Sequence, residues 1–226
     1  MHITDAVRQK YPETLLGVLR VNDLKTTPDP AAWNELRTRE TASFRASRIT
    51  YERKSAVTAS PLACYTGFYR QFKKTYPVLL QMESVLLKGR EIRADCLAVE
   101  TMFLAEVKHG LLVAGHDTQN LSGRFTLDLA RGGEAFTMVA GQPRSLKTGD
   151  MFMADNGVIL SSILEGQDYN TRLTEHSAGA LYCVYALGGV SGAQVTAFFR
   201  DLRRYLLTAY PEASVQEEQV YLGCCG

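Results

Sequence analysis

The sequence predicts an α+β protein in which helices and strands are segregated along the chain and the sheet is mostly antiparallel. Helical patterns fill the first half, short apolar or alternating runs fill residues 110–187, and one amphipathic helix follows. Successive strands joined by turns pair antiparallel, whereas a doubly wound parallel sheet needs a helix between strands. The order of the patterns therefore favours layered α+β architecture.

The first half begins with a short apolar run, residues 15–21, that predicts a buried strand. Pro30 is suited to the first position of a helix, and residues 31–52 contain neither Gly nor Pro, so a long helix is expected there. Basic side chains outnumber acidic ones around this helix, which is typical either of a solvated face or of a surface that meets an anion. They are Arg37, Arg39, Arg45, Arg48, Arg53 and Lys54.

Three more helices are predicted before residue 110. Ser60 and Pro61 form a typical N-cap and first position, and four aromatic residues then recur with helical spacing. They are Tyr65, Phe68, Tyr69 and Phe72. This spacing favours a buried face over an exposed stacking platform. A second helix over residues 79–87 is expected to end at Gly89, and a third covers residues 95–108.

Six strands are predicted in the second half, separated by Gly, Asp, Asn and Pro. They cover residues 110–115, 124–130, 135–140, 150–154, 157–160 and 180–186. The final helix is expected to begin after Ser191 and to end before Pro211.

Composition indicates a single domain over residues 1–226. Hydrophobic residues make up 46% and charged residues 22% of the 226 positions, which is typical of a globular chain able to bury a core without disulfides. No Gly/Ser/Pro-rich linker interrupts it. We expect a helical part at residues 30–108, a β-rich part at 110–187 and a helix at 191–210, with the core at about residues 12–208.

Charge and cysteine usage indicate the compartment and the partners. Residues 1–113 carry 17 basic and 12 acidic side chains, and the rest carry 8 and 12, so the first half is the better candidate to face a polyanion. Five irregularly spaced cysteines favour a reducing, cytoplasmic location. The uncharged residues 180–199 are broken by Gly188, Gly189 and Gln194, which disfavours a membrane span.

The usual catalytic and cofactor motifs, such as GxSxG, GxGxxG, HExxH and CxxC, are absent from the sequence. His109 and His116 are expected to flank a strand and to project from opposite faces, so joint metal binding is disfavoured. Cys224 and Cys225 are expected to be exposed thiols in a frayed terminus. We therefore expect no metal and no cofactor.

Polar residues cluster at predicted strand ends and turns, where binding groups are often placed. They are His116, Asp117, Arg131, Glu134, Asp155, Gln167, Asp168, Thr171, Arg172 and Thr174. Each also has a structural alternative, such as a cap, an Asx turn or, for Arg131 and Glu134, a hairpin ion pair.

Four sequence segments occur in an order that resembles a known protein family. They are GHD at 115–117, FTLDLARGGEAF at 125–136, GDMFMAD at 149–155 and TRLTE at 171–175. This series, with YRQFK at 69–73 and ESVLLKG at 83–89, resembles the editing module of the phenylalanyl-tRNA synthetase beta subunit, formed by that subunit's third and fourth domains, and its free-standing relatives. The resemblance spans about residues 12–208 and implies two packed sheets with helices outside.

In the synthetase this module hydrolyses the ester of a wrongly attached amino acid, chiefly tyrosine, on the tRNA. The chain is too short to hold the aminoacylation core as well, so the resemblance implies a free-standing deacylase that acts on the tRNA acceptor end. Its ligand would be an aminoacyl ester or a free amino acid. Two alternatives remain: a binding module without catalysis, and a scaffold that serves a partner.

The resemblance also implies roles for individual residues. His116 or Asp117 would orient water, amides near Gly166 and Gln167 would bind the oxyanion, and Thr171 or Arg172 would contact the ribose or phosphate. An aminoacyl ester is already activated, so no strong nucleophile is needed. The chain departs from the family at two places. Ala114 stands where the synthetase commonly has a histidine, and Glu165 and Gln167 flank Gly166 where the synthetase has a Gly-Gly-Glu loop, which leaves the amino acid open.

Overall fold

The computed structural model describes residues 1–222 and has the α+β layout expected from the sequence. The helices are α1 (Asp5–Lys10), α2 (Pro30–Ser47), α3 (Arg53–Ala56), α4 (Leu62–Gln71), α5 (Pro77–Lys88), α6 (Leu97–His109) and α7 (Gly192–Ala209). The strands are β1 (His2–Ile3), β2 (Leu15–Asn22), β3 (Val113–Asp117), β4 (Phe125–Leu129), β5 (Ala135–Thr137), β6 (Pro143–Ser145), β7 (Met151–Asp155), β8 (Val158–Ser162), β9 (Gly166–Gln167), β10 (Gly179–Ala186) and β11 (Ser214–Leu222).

These strands form two larger sheets and a separate hairpin. One sheet has the order β11-β2-β10-β3 and is antiparallel throughout; the other has the order β1-β4-β7-β8-β9 and is antiparallel except between β1 and β4. Strands β5 and β6 pair separately. The prediction of a mostly antiparallel α+β protein is confirmed.

The early strand β2 lies in the interior of its sheet, between β10 and β11. It pairs with β10 over eight residues, from Leu15 opposite Ala186 to Asn22 opposite Gly179. Helix α7 packs directly on β2 at Gly17, where an added Cβ would lie 2.6 Å from Cγ1 of Val195 and 2.9 Å from the ring of Phe199. Glycine permits this close approach of helix and strand.

Most element boundaries match the sequence pattern. Helix α5 ends at Gly89 in the left-handed region (φ 64°), and Ser191 begins α7 with a capping box completed by Gln194. Three aromatic residues of α4, Tyr65, Phe68 and Tyr69, are buried as expected.

Several expectations were wrong in detail. Strand β3 begins at Val113, because Gly110 (φ 66°) closes α6 and the chain needs two further residues to turn. His109 is consequently the last residue of a helix, where its Nε2 lies 2.9 Å from Asp201. The N-cap of α4 is Pro61, while the hydroxyl of Ser60 donates to the carbonyl of Gly189 at 2.7 Å.

Helix α2 ends at Ser47, earlier than the absence of Gly and Pro indicated. Among residues 1–222, every helix is too short or too polar to cross a lipid bilayer. Cys224 and Cys225 lie outside the described residues.

Candidate functional site

A cavity of about 770 Å³ opens between α6 and the loop that joins β9 to β10. Apolar side chains form much of its wall, including Val99, Met102, Phe103, Leu112, Val113 and Leu173. Polar side chains also line it, including Asp95, Gln167, Arg172, Thr174, Glu175 and His176. A concave site with apolar walls and a few polar groups is suited to a small amphipathic ligand.

Four residues predicted as substrate-binding line this cavity: Gly166, Gln167, Arg172 and Thr174. Gly166 has a φ of 83°, which favours glycine and allows the chain to turn from β8 into β9. The guanidinium of Arg172 stacks over the ring of Tyr169, 3.7 Å from its centroid, and donates to the carbonyl of Tyr169 at 2.6 Å. These contacts hold a cation in a defined position at the cavity.

His116 lies behind the cavity wall. Its side chain is fully buried, and its ring nitrogens lie 2.7 Å from the Thr171 hydroxyl and 3.1 Å from the Ser161 hydroxyl. Burial lowers the pKa of His116 to about 3, so the imidazole is neutral at physiological pH.

Asp117 is also engaged within the fold. One carboxylate oxygen accepts from the amide of Gln119 at 2.9 Å, and the other accepts from the hydroxyl of Ser177 at 2.6 Å. The first bond starts a short 3-10 turn at residues 118–120, which matches the capping alternative. The geometry therefore places His116 and Asp117 as supports of the cavity wall.

Asp168 and Thr171 lie next to His116. The hydroxyl of Thr171 donates to Oδ1 of Asp168, and Oδ2 of Asp168 accepts from the amides of Asn170 at 2.8 Å and Thr171 at 3.2 Å. Both residues are almost fully buried. They connect the loop after β9 to the strand that carries His116.

Glu165 pairs with Lys74, and this ion pair joins the β8–β9 turn to the end of α4. The Glu165 side chain is only 10% exposed. Lys74 also donates to the carbonyl of Leu164 at 3.2 Å. Glu165 therefore fixes the turn that leads into Gly166, and it does not line the cavity.

The structure does not bring Arg131, Glu134 and Asp155 to this cavity. The Glu134 carboxylate accepts from the amides of Arg131 at 2.6 Å and Gly132 at 2.9 Å. Burial raises the pKa of Asp155, but hydrogen bonds from Ser122 and from the amide of Arg124 hold it below its usual range. Glu134 and Asp155 organise their own loops.

Helix α6 forms one wall of the cavity, and Ser162 and Tyr185 also line it. None of these was predicted from the sequence to be part of the site. The signal available was the apolar run MFLA at residues 102–105, whose four side chains point around the whole of α6 and indicate a helix buried on more than one face. An apolar run does not distinguish packing against a core from lining a cavity.

The basic residues in α2 and shortly after it are partly used inside the fold. Arg37 is buried and donates to the carbonyl of Ile92 at 2.7 Å, and Arg45 donates to the carbonyls of Val85 and Arg90 at 3.0 and 3.2 Å. Arg53 pairs with Glu83 at 3.1 Å.

In residues 1–222, no three His, Cys, Asp or Glu side chains are grouped in a way that could hold a metal ion.

Comparisons with known proteins add little to this geometry. No protein-family model matches the chain, and no curated protein matches it. Among solved structures, it is similar to an N-terminal fragment of the phenylalanyl-tRNA synthetase beta subunit from Pyrococcus horikoshii, with 10% identity and a TM-score of 0.46. The match covers 95% of this chain and 49% of that one, so the chain spans about half the length of the fragment. These values describe a distant likeness, and nothing about the site follows from them.

Proposed function

We propose that the chain binds the aminoacyl end of mischarged tRNA in this cavity and hydrolyses the ester in trans. One observation carries the proposal: two segments that define the sequence resemblance, GHD at 115–117 and TRLTE at 171–175, lie against each other beside the cavity. A bridge pairs His116 with Arg172, and the amide of Asp117 donates to the carbonyl of Thr171 at 2.7 Å. Gly166 and Gln167 complete the same wall.

The cavity offers the groups that ester hydrolysis needs. Gln167 and Thr174 can donate hydrogen bonds to a carbonyl oxygen as it gains negative charge, and the guanidinium of Arg172 can contact the ribose or phosphate. The imidazole of His176 lies 83% exposed at the cavity, where it can accept a proton from an attacking water. In this proposal His116, Asp117, Asp168 and Thr171 are positioning residues, because each lies within the wall.

The test is release of free amino acid from a panel of mischarged tRNAs. The wild-type protein should release at least one amino acid faster than the spontaneous rate. Val139→Trp should block release, because Val139 lines the cavity and is 46% exposed, so the larger side chain can fill the opening without disturbing the core. Val158→Trp is the matched control, since Val158 is 62% exposed and lies outside this cavity. Spontaneous rates on every tRNA would contradict catalysis.

A specific observation favours a second function, binding without catalysis. Both nitrogens of His116 and both carboxylate oxygens of Asp117 already have hydrogen-bond partners in the fold. Under this alternative, a non-hydrolysable amide-linked aminoacyl-tRNA would bind the wild type and not Val139→Trp, while no ester would be hydrolysed. Ester hydrolysis by the wild type excludes the alternative.

A further inference from the structure

Four hydrogen bonds connect a buried carboxylate to the cavity wall across both large sheets. The Thr171 hydroxyl bonds Asp168, and the His116 ring bonds the hydroxyls of Thr171 and Ser161. The Ser161 hydroxyl then lies 2.5 Å from the hydroxyl of Tyr185. Tyr185 lines the cavity, whereas Asp168 lies at the opposite end of the chain of bonds.

The carboxylate at one end fixes the direction of every bond. A carboxylate only accepts, and Asp168 receives two backbone N–H bonds besides the Thr171 hydroxyl. Thr171 has one hydroxyl proton, so its oxygen must accept from Nδ1–H of His116. The neutral imidazole then has an unprotonated Nε2, which accepts from the Ser161 hydroxyl.

Tyr185 is the last residue in this chain of hydrogen bonds. Because the Ser161 proton is directed at His116, the 2.5 Å contact requires the Tyr185 hydroxyl to donate to Ser161. Burial raises the pKa of Tyr185, so its phenol keeps its proton. Since its only proton is directed at Ser161, the Tyr185 hydroxyl can meet a ligand only as an acceptor.

We propose that Tyr185 is a specificity residue that accepts a hydrogen bond from the ammonium group of the bound aminoacyl moiety. The proposal rests on the proposed function, since it concerns the same cavity. Two carboxylates, those of Asp95 and Glu175, line the cavity together with the guanidinium of Arg172, which stacks on Tyr169, and the carboxylates favour a cationic donor over a neutral hydroxyl. Asp168, Thr171, His116 and Ser161 act through Tyr185 as positioning residues.

The direction of the bonds is tested on the protein without ligand. Nitrogen-15 NMR should show His116 as the neutral Nδ1–H tautomer throughout pH 5–8. The Nε2–H tautomer would overturn the proposal, because Ser161 would then donate to Tyr185 and the phenol would donate to the ligand.

Recognition of the ammonium is tested with three methyl esters that share one apolar body: those of L-phenylalanine, L-phenyllactic acid and 3-phenylpropionic acid. Binding followed by NMR titration should be strongest for the amine and weakest for 3-phenylpropionate, with a difference of about tenfold or more between these two. Tyr185→Phe should remove most of that difference and leave the affinity for methyl 3-phenylpropionate unchanged. Equal affinities in the wild type, or no binding of any ester, would overturn the proposal.

Two controls keep the outcomes distinct. If Tyr185→Phe does not fold, as judged by circular dichroism, the His116 tautomer decides whether the proposal stands, because wild-type ammonium preference would also follow from Asp95 and Glu175. Ammonium preference that Tyr185→Phe removes, without hydrolysis of any mischarged tRNA, would contradict the catalytic function and support the role of Tyr185. Hydrolysis of a mischarged tRNA by a protein that shows no ammonium preference would support the catalytic function and contradict the role of Tyr185.

Discussion

The indole Nε1 of Trp33 donates to Oε2 of Glu100 at 2.7 Å, with both side chains buried. The other carboxylate oxygen of Glu100 accepts from the amide of Ala94 at 3.3 Å. Ala94 and Asp95 line the cavity, so this carboxylate links α2 and α6 to the cavity rim. A buried residue that does not itself line the cavity thereby positions part of the cavity rim.

Replacing Glu100 by Ala should lower the free energy of unfolding by about 2 kcal/mol, because the buried indole N–H loses its acceptor. Urea unfolding followed by tryptophan fluorescence measures this directly, since Trp33 is the single tryptophan. Glu91→Ala serves as the control: its side chain is 66% exposed, and its ion pairs with Arg93 at 3.0 Å and with Arg37 at 3.6 Å should together contribute less than about 1 kcal/mol. Equal losses in the two variants would contradict the account.

Glu106 should make the stability depend on pH. Burial raises its pKa to about 8, although the amide of Val113, 3.0 Å from its carboxylate, lowers it. The folded protein therefore retains a proton that the unfolded chain loses near its ordinary value of 4.5. The stability linked to Glu106 is complete below about pH 4.5 and is lost as the pH rises to about 8.

Glu106→Gln should remove this dependence and keep the acceptor for Val113. The free energy of unfolding, measured by urea from pH 5 to 8.5, should fall less steeply in the variant than in the wild type. Burial also raises the pKa of Asp150, to about 7, but Asp150 is present in both proteins, so the difference between the curves isolates Glu106. Parallel curves would show that Glu106 does not titrate in this range.

Gly17→Ala should destabilise the fold by roughly 1–3 kcal/mol, because the new methyl group would meet Val195 and Phe199 of α7 at less than contact distance. Gly67→Ala is the matched control, since Gly67 lies within α4 and an added Cβ has no neighbour within 4 Å. The control should be neutral or slightly stabilising because alanine favours the helix. Thermal unfolding compares the two, and a stable Gly17→Ala protein would contradict the observed packing of α7 on β2.

Arg172→Ala should weaken binding of aminoacyl-tRNA and reduce its salt dependence, because one cation positioned at the cavity is lost. The expected change in the slope of log affinity against log salt is about one. Arg144→Ala on β6 provides the control, since Arg144 is exposed and lies outside the cavity. An unchanged slope for Arg172→Ala would exclude a phosphate contact at this residue.

Much of the fold could be predicted because its signals are local. The Ser191 cap and the Gly89 terminus act within one helical turn, and strand β10 is a continuous apolar run. Strand β11 was missed because its polar, edge-type sequence, SVQEEQVYL, lacks an apolar run, and its place is set by pairing with β2, almost 200 residues away.

The candidate site was predicted only in part, for a related reason. Gln167 ends the short strand β9 and Arg172 lies in the loop that follows it, where polar residues in the sequence indicate exposed positions. The burial of His116 and its bonds to Ser161 and Thr171 depend on three separate segments meeting in space. No local pattern carries that information, so sequence alone did not separate a positioning histidine from one that meets the ligand.

Hydrogen exchange with a non-hydrolysable ligand tests most directly whether the cavity takes the aminoacyl end of tRNA. The ligands would be 3′-amide-linked aminoacyl-adenosines carrying alanine, leucine, phenylalanine, tyrosine or lysine, each compared with adenosine. At least one should slow exchange at residues 94–103, 138–139 and 162–176 and leave strand β11, which does not line the cavity, unchanged. Protection confined to other parts of the chain, or none with any ligand, would contradict the assignment of the cavity.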